Sequence, residues 1–296
     1  MNIADVDLNL LQTFQAVHAE RSVTRAADRL GLSQPTVSHG LKRLRLLYKD
    51  PLFVRTQGGM APTAKADRLA EAVRHALHVL DVAIREGERY DPAASDRTFR
   101  LHMSDIGETV FLPRLMRALA ARAPNVRLET FQLDDGDIGP ALESGRLDLA
   151  LGYLPALADV ERVALLSERY VVLMRAGHPL ARRAATRAAL GQLRYAVVRS
   201  HAATARALRD LGLSANIRLA MPHFLVLPRI LAGTDLAVVM PARLAEVFRE
   251  MGAYAVWRPR VGLPAFDVSV HWSWRFAGDP GTRWLRELFV SLFRES

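Results

Sequence analysis

The chain has 296 residues, half of them apolar, and it contains no cysteine. This length suits about two domains with sizeable cores. The missing cysteine excludes disulfides, thiolate nucleophiles and zinc sites built on sulfur. No apolar run approaches the about 20 residues that a membrane helix needs, and the first residues lack the basic start and apolar stretch of a signal peptide. We therefore expect a cytoplasmic protein without membrane contact.

The formal net charge of +9 favours an anionic partner. Only three of the 40 basic residues are lysines, so a general compositional bias towards arginine explains part of this charge. The position of the charge is more informative than its total, because eight basic residues and only two acidic ones lie between Arg21 and Arg55. This local patch is a candidate surface for nucleic acid.

Two short helices are predicted near the N-terminus. Apolar residues at helical spacing predict a helix from Leu8 to Glu20, capped by Asp7. A second helix is predicted from Val23 to Leu30, with Ser22 as its cap. Gly31 follows, which is typical of the left-handed residue that ends a helix.

A third helix is predicted to begin after Ser33, with Pro35 in its first turn, where proline is tolerated. Its buried stripe consists of Val37, Leu41, Leu44 and Tyr48. Helix, short glycine-containing turn and helix together form the helix-turn-helix unit.

A β-hairpin wing and a long helix are predicted next. Residues 52–55 resemble a strand, Gly58 and Gly59 a turn, and residues 60–62 a returning strand. An uninterrupted helix is predicted over 63–87, with apolar residues on one face. A lone helix with such a stripe needs a partner, and the simplest partner is the same helix of a second copy.

Beyond a predicted linker at 91–95, strand-like and helix-like segments alternate. The predicted strands lie at 99–103, from 126, and at 147–152, 170–174, 195–198, 217–220 and 236–240, and the predicted helices at 112–119, 138–144, 203–211, 224–231 and 282–293. Alternation of this kind predicts parallel pairing in an α/β layer fold. Two lobes with a ligand cleft between them fit the pattern.

The polar face of the third helix carries side chains that can recognise DNA. We expect Gln34, Thr36, Ser38 and His39 to face bases, Lys42, Arg43 and Arg45 to hold phosphates, and Arg55 of the wing to enter a minor groove. Ser33, the cap of the helix, also belongs to the predicted DNA-binding set. A merely solvated face is the alternative. The helix caps, the Gly31 turn and the local charge together favour DNA binding.

The string AADRLGLSQPTVSHGLKRLR within residues 8–45 resembles the winged helix-turn-helix of LysR-type regulators, and PLFVR with GMAPT resembles that family's wing and linker. SDIGE, LESGRLDLALGYLP, PHF and DPGTRWLRELFVSLF are similar to the subgroup that controls aromatic catabolism, including salicylate-responsive regulators of naphthalene degradation. The resemblance covers the full length.

The resemblance implies an all-α winged helix-turn-helix over 1–62, a long linker and dimerisation helix over 63–90, and a two-lobed α/β effector domain over 95–296, shaped like a periplasmic binding protein. Lobe 1 would comprise about 95–170 and 272–296, and lobe 2 about 171–271. A homodimer or homotetramer would bind promoter DNA with interrupted palindromes, act on RNA polymerase and respond to a small effector, for which an aromatic acid is the first candidate. No cofactor is implied.

The effector pocket is predicted from both patterns and resemblance. Free backbone N–H groups at the helix start after Ser104 attract carboxylates, although Ser104 could serve only as a cap. Arg169, His201 and Thr204 stand where the chain departs from the resembled subgroup, so altered contacts are expected there; for Arg169 a surface position is an equal alternative. The full predicted set is Ser104, Asp105, Ile106, Phe111, Gly152, Arg169, His201, Thr204, His223 and Phe224.

The sequence also bears on three rival functions: an enzyme, an exported solute-binding protein and a DNA-binding protein with a vestigial cleft. An enzyme is disfavoured because G-x-S-x-G, H-E-x-x-H, Walker and G-x-G-x-x-G motifs are missing. A metal site is disfavoured because His75 and His78 share a helix face without a further ligand nearby. An exported solute-binding protein would need a signal peptide and would not carry a helix-turn-helix. A DNA-binding protein with a vestigial cleft remains open.

Overall fold

The structure is a computed structural model that describes residues 7–56, 59–84, 90–199, 201–259 and 265–294. The chain divides into two compact units, Met1–Gly87 and Glu88–Ser296, and each is described by itself. None of the helices in the described ranges is long and apolar enough to cross a membrane.

The N-terminal unit is a three-helix bundle with a wing and a long final helix. Its elements are α1 (Leu8–Glu20), α2 (Val23–Leu30), α3 (Gln34–Tyr48), β1 (Phe53–Thr56), β2 (Gly59–Pro62) and α4 (Ala64–Ile84). The predicted bounds of the first two helices are confirmed, and the wing is an antiparallel hairpin with Phe53 opposite Pro62. Gly58, and the part of the predicted long helix beyond Ile84, lie outside the described residues.

Local hydrogen bonds explain why α1, α2 and α3 begin where they do. The side chains of Asp7, Ser22 and Ser33 accept from backbone N–H groups in the first turns of the three helices. Phe14, Val37 and other apolar residues then form a shared buried core. The local signals and the core therefore specify the same arrangement.

The C-terminal unit alternates helices and strands. Its elements are β3 (Thr98–His102), α5 (Asp105–Arg122), β4 (Arg127–Phe131), α6 (Asp135–Glu143), β5 (Leu149–Gly152), β6 (Glu161–Arg175), α7 (Arg187–Gln192), β7 (Arg194–Val198), α8 (Ala202–Asp210), β8 (Ile217–Met221), α9 (Leu227–Ala232), β9 (Leu236–Pro241), α10 (Ala242–Met251), β10 (Tyr254–Trp257), β11 (Ala265–Trp272) and α11 (Pro280–Phe293).

Two parallel half-sheets confirm the predicted α/β fold. Strand β3 is parallel to β4 and β5 in the first half, and β7 is parallel to β8 and β9 in the second half. The antiparallel strands β6 and β11 join them, because β11 pairs with β5 and β6, and β6 pairs with β9 and β10. We call these parts the first half, which also contains α5, α6 and α11, and the second half, which contains α7 to α10.

Four elements were not predicted from the sequence: α7, α10, β10 and β11. Strand β6 was also predicted only from 170 to 174, whereas it begins at Glu161. Its N-terminal part contains Glu161, Arg162, Glu168 and Arg169. These charged residues interrupt the apolar run on which the prediction depended, while pairing with β11 supplies the hydrogen bonds that make this segment a strand.

The last helix returns to the first half of the unit. Leu285, Leu288 and Phe289 of α11 are buried in the same core as Phe99 and Leu101 of β3. The two halves of the unit also touch each other directly, because Ile106 at the start of α5 packs against the core of the second half. The C-terminal ends of β3 and β5 lie beside this contact.

Candidate functional site

The α3 helix divides into a buried and an exposed side. Val37, Leu41 and Leu44 are buried. Gly40 lets α3 approach α1 closely, because a Cβ atom there would lie 3.3 Å from Thr13 Cγ2. The opposite side, which we call the reading face, is exposed and consists of Gln34, Thr36, Ser38, His39, Lys42 and Arg43.

Ser33 lies at the N-terminal end of the reading face as the helix cap. Its Oγ accepts from the Thr36 backbone N–H at 3.3 Å and lies 2.7 Å from Thr36 Oγ1. Both hydroxyl groups therefore have partners within the helix, and the backbone that presents Gln34 is held in place.

The three arginines predicted to contact DNA occupy different environments. Arg45 donates from Nε to the Pro51 carbonyl at 2.8 Å and from Nη2 to the Phe53 carbonyl at 3.3 Å, so it connects α3 to the wing. Arg43 is half exposed and lies 3.4 Å from an Asp7 carboxylate oxygen. Arg55 is exposed on β1. DNA contacts by these residues stay predictions.

A cavity of about 150 Å³ lies where the first and second halves of the C-terminal unit meet. Five of the ten predicted effector residues line it: Ser104, Ile106, Phe111, Gly152 and His201. The cavity lies beyond the carboxyl ends of β3 and β5, the part of an α/β sheet where ligands commonly bind.

Asp105 and Phe224 link the two halves instead of lining the cavity. One Asp105 carboxylate oxygen accepts from the Ile106 backbone N–H at 3.0 Å, and the other accepts from the Phe224 backbone N–H at 3.0 Å. The Phe224 side chain is buried in the core of the second half. Asp105 therefore joins the start of α5 to the segment before α9.

The remaining predicted effector residues lie away from the cavity wall. Arg169 and His223 are exposed. Thr204 is buried and donates from Oγ1 to the His201 carbonyl at 2.9 Å, so it supports the first turn of α8. Their roles in effector binding stay predictions.

Several lining residues escaped sequence reasoning: His102, Asp135, Tyr153, Glu168, Arg243 and Phe266. Glu168 is the neighbour of the predicted Arg169, and successive residues of a strand point to opposite faces. The alternation of β6 would therefore have identified Glu168, had this strand been predicted at its full length. Phe266 lies on β11 and Arg243 on α10, two elements that were not predicted.

Aromatic rings contribute to the wall of the cavity. Phe266 packs against Tyr153 and Tyr170, with ring centroids 5.1 and 4.7 Å away. Phe111 contributes a further ring, which packs edge-on against Phe293 of α11. Flat apolar walls of this kind suit a planar ligand.

Two histidines on the wall are uncharged at neutral pH. Burial lowers the pKa of His201 to about 4, although the nearby Asp105 opposes this shift. His201 Nε2 lies 3.0 Å from the Tyr170 hydroxyl, and burial raises the pKa of that tyrosine. Burial likewise lowers the pKa of His102, although Asp135 opposes it. His102 Nδ1 accepts from the Leu133 backbone N–H at 3.2 Å, which leaves the proton on Nε2.

A buried carboxylate lies beside Phe266 on the wall, because Glu168 of β6 is paired with Phe266 of β11. Glu168 accepts backbone N–H bonds from Arg169 at 2.8 Å, from Ala242 at 3.2 Å and from Arg243 at 3.3 Å. Two of these donors are the first N–H groups of α10, so Glu168 occupies the anion-binding end of that helix. Arg243 Nε also lies 3.8 Å from Glu168 Oε2.

Comparisons with known proteins match both units. Residues 8–67 match the family described as bacterial regulatory helix-turn-helix protein, lysR family, and residues 92–294 match the LysR substrate binding domain. The chain belongs to the LysR family. It is a DNA-binding transcriptional regulator with an effector-binding domain, and the resemblance noted in the sequence is confirmed.

Two relatives and one solved structure illustrate the similarity. The chain is 41% identical to the HTH-type transcriptional activator NagR of Ralstonia sp and 40% identical to the HTH-type transcriptional activator NahR of Pseudomonas putida, in each case over all of both chains. It is 30% identical to the crystal structure of a probable transcriptional regulator from Pseudomonas aeruginosa, which covers 99% of each chain with a TM-score of 0.79.

Proposed function

We propose that this LysR-family regulator binds promoter DNA through α3 and the wing, and that a small aromatic effector in the cavity changes that binding or its effect on RNA polymerase. The position of the cavity between the two halves of the C-terminal unit supports this proposal most directly. Its wall takes Ser104 and Phe111 from the first half and His201 and Arg243 from the second. A ligand that binds one arrangement of the two halves more tightly than another shifts the equilibrium towards the arrangement that it binds more tightly.

The size and lining of the cavity support an aromatic effector. An apolar cavity of about 150 Å³ is known to hold one benzene molecule in another protein, and the same volume here, about 150 Å³, is bounded by Phe111, Tyr153 and Phe266. An aromatic acid was the first candidate from the sequence, and related aromatic compounds fit the same walls.

The regulator is proposed to act as a homodimer or homotetramer. Val79, Leu80 and Ile84 of α4 are large apolar side chains, and 40%, 39% and 76% of each is exposed. Exposed apolar residues at helical spacing suit pairing with the same helix of a second copy. Two reading faces would then contact two half-sites of a promoter in the cytoplasm. No catalytic role is proposed, because the matched relatives are regulators.

DNA-binding measurements with three variants test the proposal. Gln34→Ala should lose about 1–3 kcal/mol on the protein's own promoter and almost nothing on random DNA, because a base contact is removed. Arg43→Ala should weaken binding to both DNAs and reduce the salt dependence, because a phosphate contact is removed. Arg209→Ala, an equal charge change at an exposed position of α8, is the control and should change binding to neither DNA. Equal losses on both DNAs for Gln34→Ala would contradict the assignment.

A further inference from the structure

The charges on the cavity wall are unfavourable for an anionic ligand. Asp135 is exposed in the first turn of α6, and Glu168 is only 7% exposed. Among the described residues that line the cavity, Arg243 is the one permanently charged cation, and it lies against Glu168. An arriving carboxylate would therefore meet two acidic groups, and the nearby cation is already shared with one of them.

At two of the helix starts that border the cavity, backbone donors that could bind a carboxylate are already occupied. At the start of α5, Ile106 N–H donates to Asp105 at 3.0 Å and Gly107 N–H donates to Ser104 Oγ at 3.3 Å. At the start of α10, the N–H groups of Ala242 and Arg243 donate to Glu168. The protein's own oxygens thus take up donors at the starts of α5 and α10. The helices α6 and α8 also begin at the cavity, beside Asp135 and His201, and have no side-chain cap hydrogen bond, but the first turn of α6 carries the acidic Asp135 and Asp137.

The wall instead offers acceptors and uncharged donors. The carboxylates of Asp135 and Glu168 accept hydrogen bonds but cannot donate them. His102 keeps its proton on Nε2, and the Ser104 hydroxyl can donate while its oxygen accepts from Gly107. A hydroxyl group both donates and accepts, so it can satisfy both kinds of partner, whereas a carboxylate can only accept.

We propose that the cavity takes an uncharged, hydroxylated aromatic compound of the phenol or catechol type in preference to an aromatic carboxylate. The aromatic ring of the ligand would pack against Phe111 and Phe266, and its hydroxyl groups would hydrogen-bond to the acidic residues of the wall. This inference rests on the proposed function, because it names the chemical class of the effector for the same cavity.

Binding of matched compounds to the full-length protein at pH 7 tests the inference. Catechol and 2-hydroxybenzyl alcohol are the hydroxylated probes, salicylate is the matched acid and benzylamine the matched cation. Isothermal titration calorimetry should give a Kd for a hydroxylated probe at least about tenfold below that of salicylate. The reason is that the salicylate carboxylate would lie near the acidic residues of the wall without a cation of its own to pair with. Tighter binding of salicylate or of benzylamine would overturn the inference and leave the proposed effector site intact.

Two variants separate the wall charge from nonspecific effects. Asp135→Asn removes one exposed acidic group from the wall and should tighten salicylate binding by about threefold to tenfold. Asp137→Asn makes the same change in the same helix turn, at an exposed residue that does not line the cavity, and should leave all the affinities unchanged. Equal effects of the two variants would overturn the inference.

A different experimental result would contradict the proposed function itself. If no probe of any class bound to the wild-type protein while it still bound its own promoter, the effector site itself would be refuted, and the inference with it.

Discussion

Gly31 forms the turn between α2 and α3 in a conformation that favours glycine. Its φ is 64°, and its N–H donates to the Asp28 carbonyl at 3.2 Å. No heavy atom lies within 4 Å of the position that a Cβ would take. A side chain at this position would therefore encounter backbone strain but no steric clash.

Gly31→Ala should lower the free energy of unfolding by about 1 kcal/mol, because a side chain disfavours the left-handed region. Thermal unfolding followed by circular dichroism measures the loss. Gly31→Asn is the matched control and should lose less, since asparagine tolerates this conformation. An alanine variant as stable as the wild type would show that the turn can relax to another conformation.

At the scale of elements, a buried ion cluster holds α11 to the first half-sheet. Arg97 donates to Asp279 at 2.6 Å and to Asp148 at 2.7 Å, and Asp279 also caps α11 by accepting from the Thr282 N–H at 2.7 Å. Burial alone would raise the pKa of Asp279, but Arg97 and the Thr282 donors outweigh it, and the pKa is lowered. The cluster fixes where the C-terminal helix lies.

Asp279→Asn should destabilise the protein by about 3 kcal/mol, because Arg97 loses one of its two buried partners. Urea unfolding measures the loss. Asp134→Asn, at a helix cap without a side-chain hydrogen bond, is the control and should change stability by less than about 0.5 kcal/mol. Equal losses in both variants would contradict the role of the cluster.

In the wild type, the lowered pKa of Asp279 adds stability that is complete above about pH 4. This stability is lost as the pH falls further towards the pKa of Asp279 in the folded state.

At the scale of the whole molecule, two buried histidines link folding to pH. The pKa values of both His201 and His271 are lowered to about 4, mainly by burial, and for His271 the charges of Arg162 and His102 act in the same direction. In the unfolded chain a histidine titrates near pH 6.5. Between these values the unfolded state binds more protons, so stability should fall as the pH falls from about 6.5 to about 4.

Each histidine should contribute up to about 1.4 kcal/mol per pH unit in this window. Urea unfolding at several pH values between about 4 and 7 measures the slope. His271→Gln should lower the slope by up to about 1.4 kcal/mol per pH unit, because it removes a group that takes up its proton only on unfolding in this pH range. A slope unaffected by His271→Gln would show that this histidine does not remain neutral in the folded state.

The sequence by itself determined the N-terminal unit almost completely. Asp7, Ser22, Ser33 and Gly31 act through hydrogen bonds to residues two or three positions away, or through their own backbone conformation. Such signals are contained in a short stretch of chain, so the helix bounds could be predicted without knowing the rest of the fold. The alternation that predicted parallel half-sheets is also local.

Which residues line the cavity was determined only by the tertiary structure. Glu168 rather than its neighbour Arg169 faces the cavity because β6 pairs with β11, a strand that begins almost a hundred residues later. Glu168 then reaches the start of α10, and Asp105 reaches the Phe224 backbone. These contacts join segments that are far apart in the chain, and no local periodicity encodes them, so the chemistry of the effector site depends on long-range pairing.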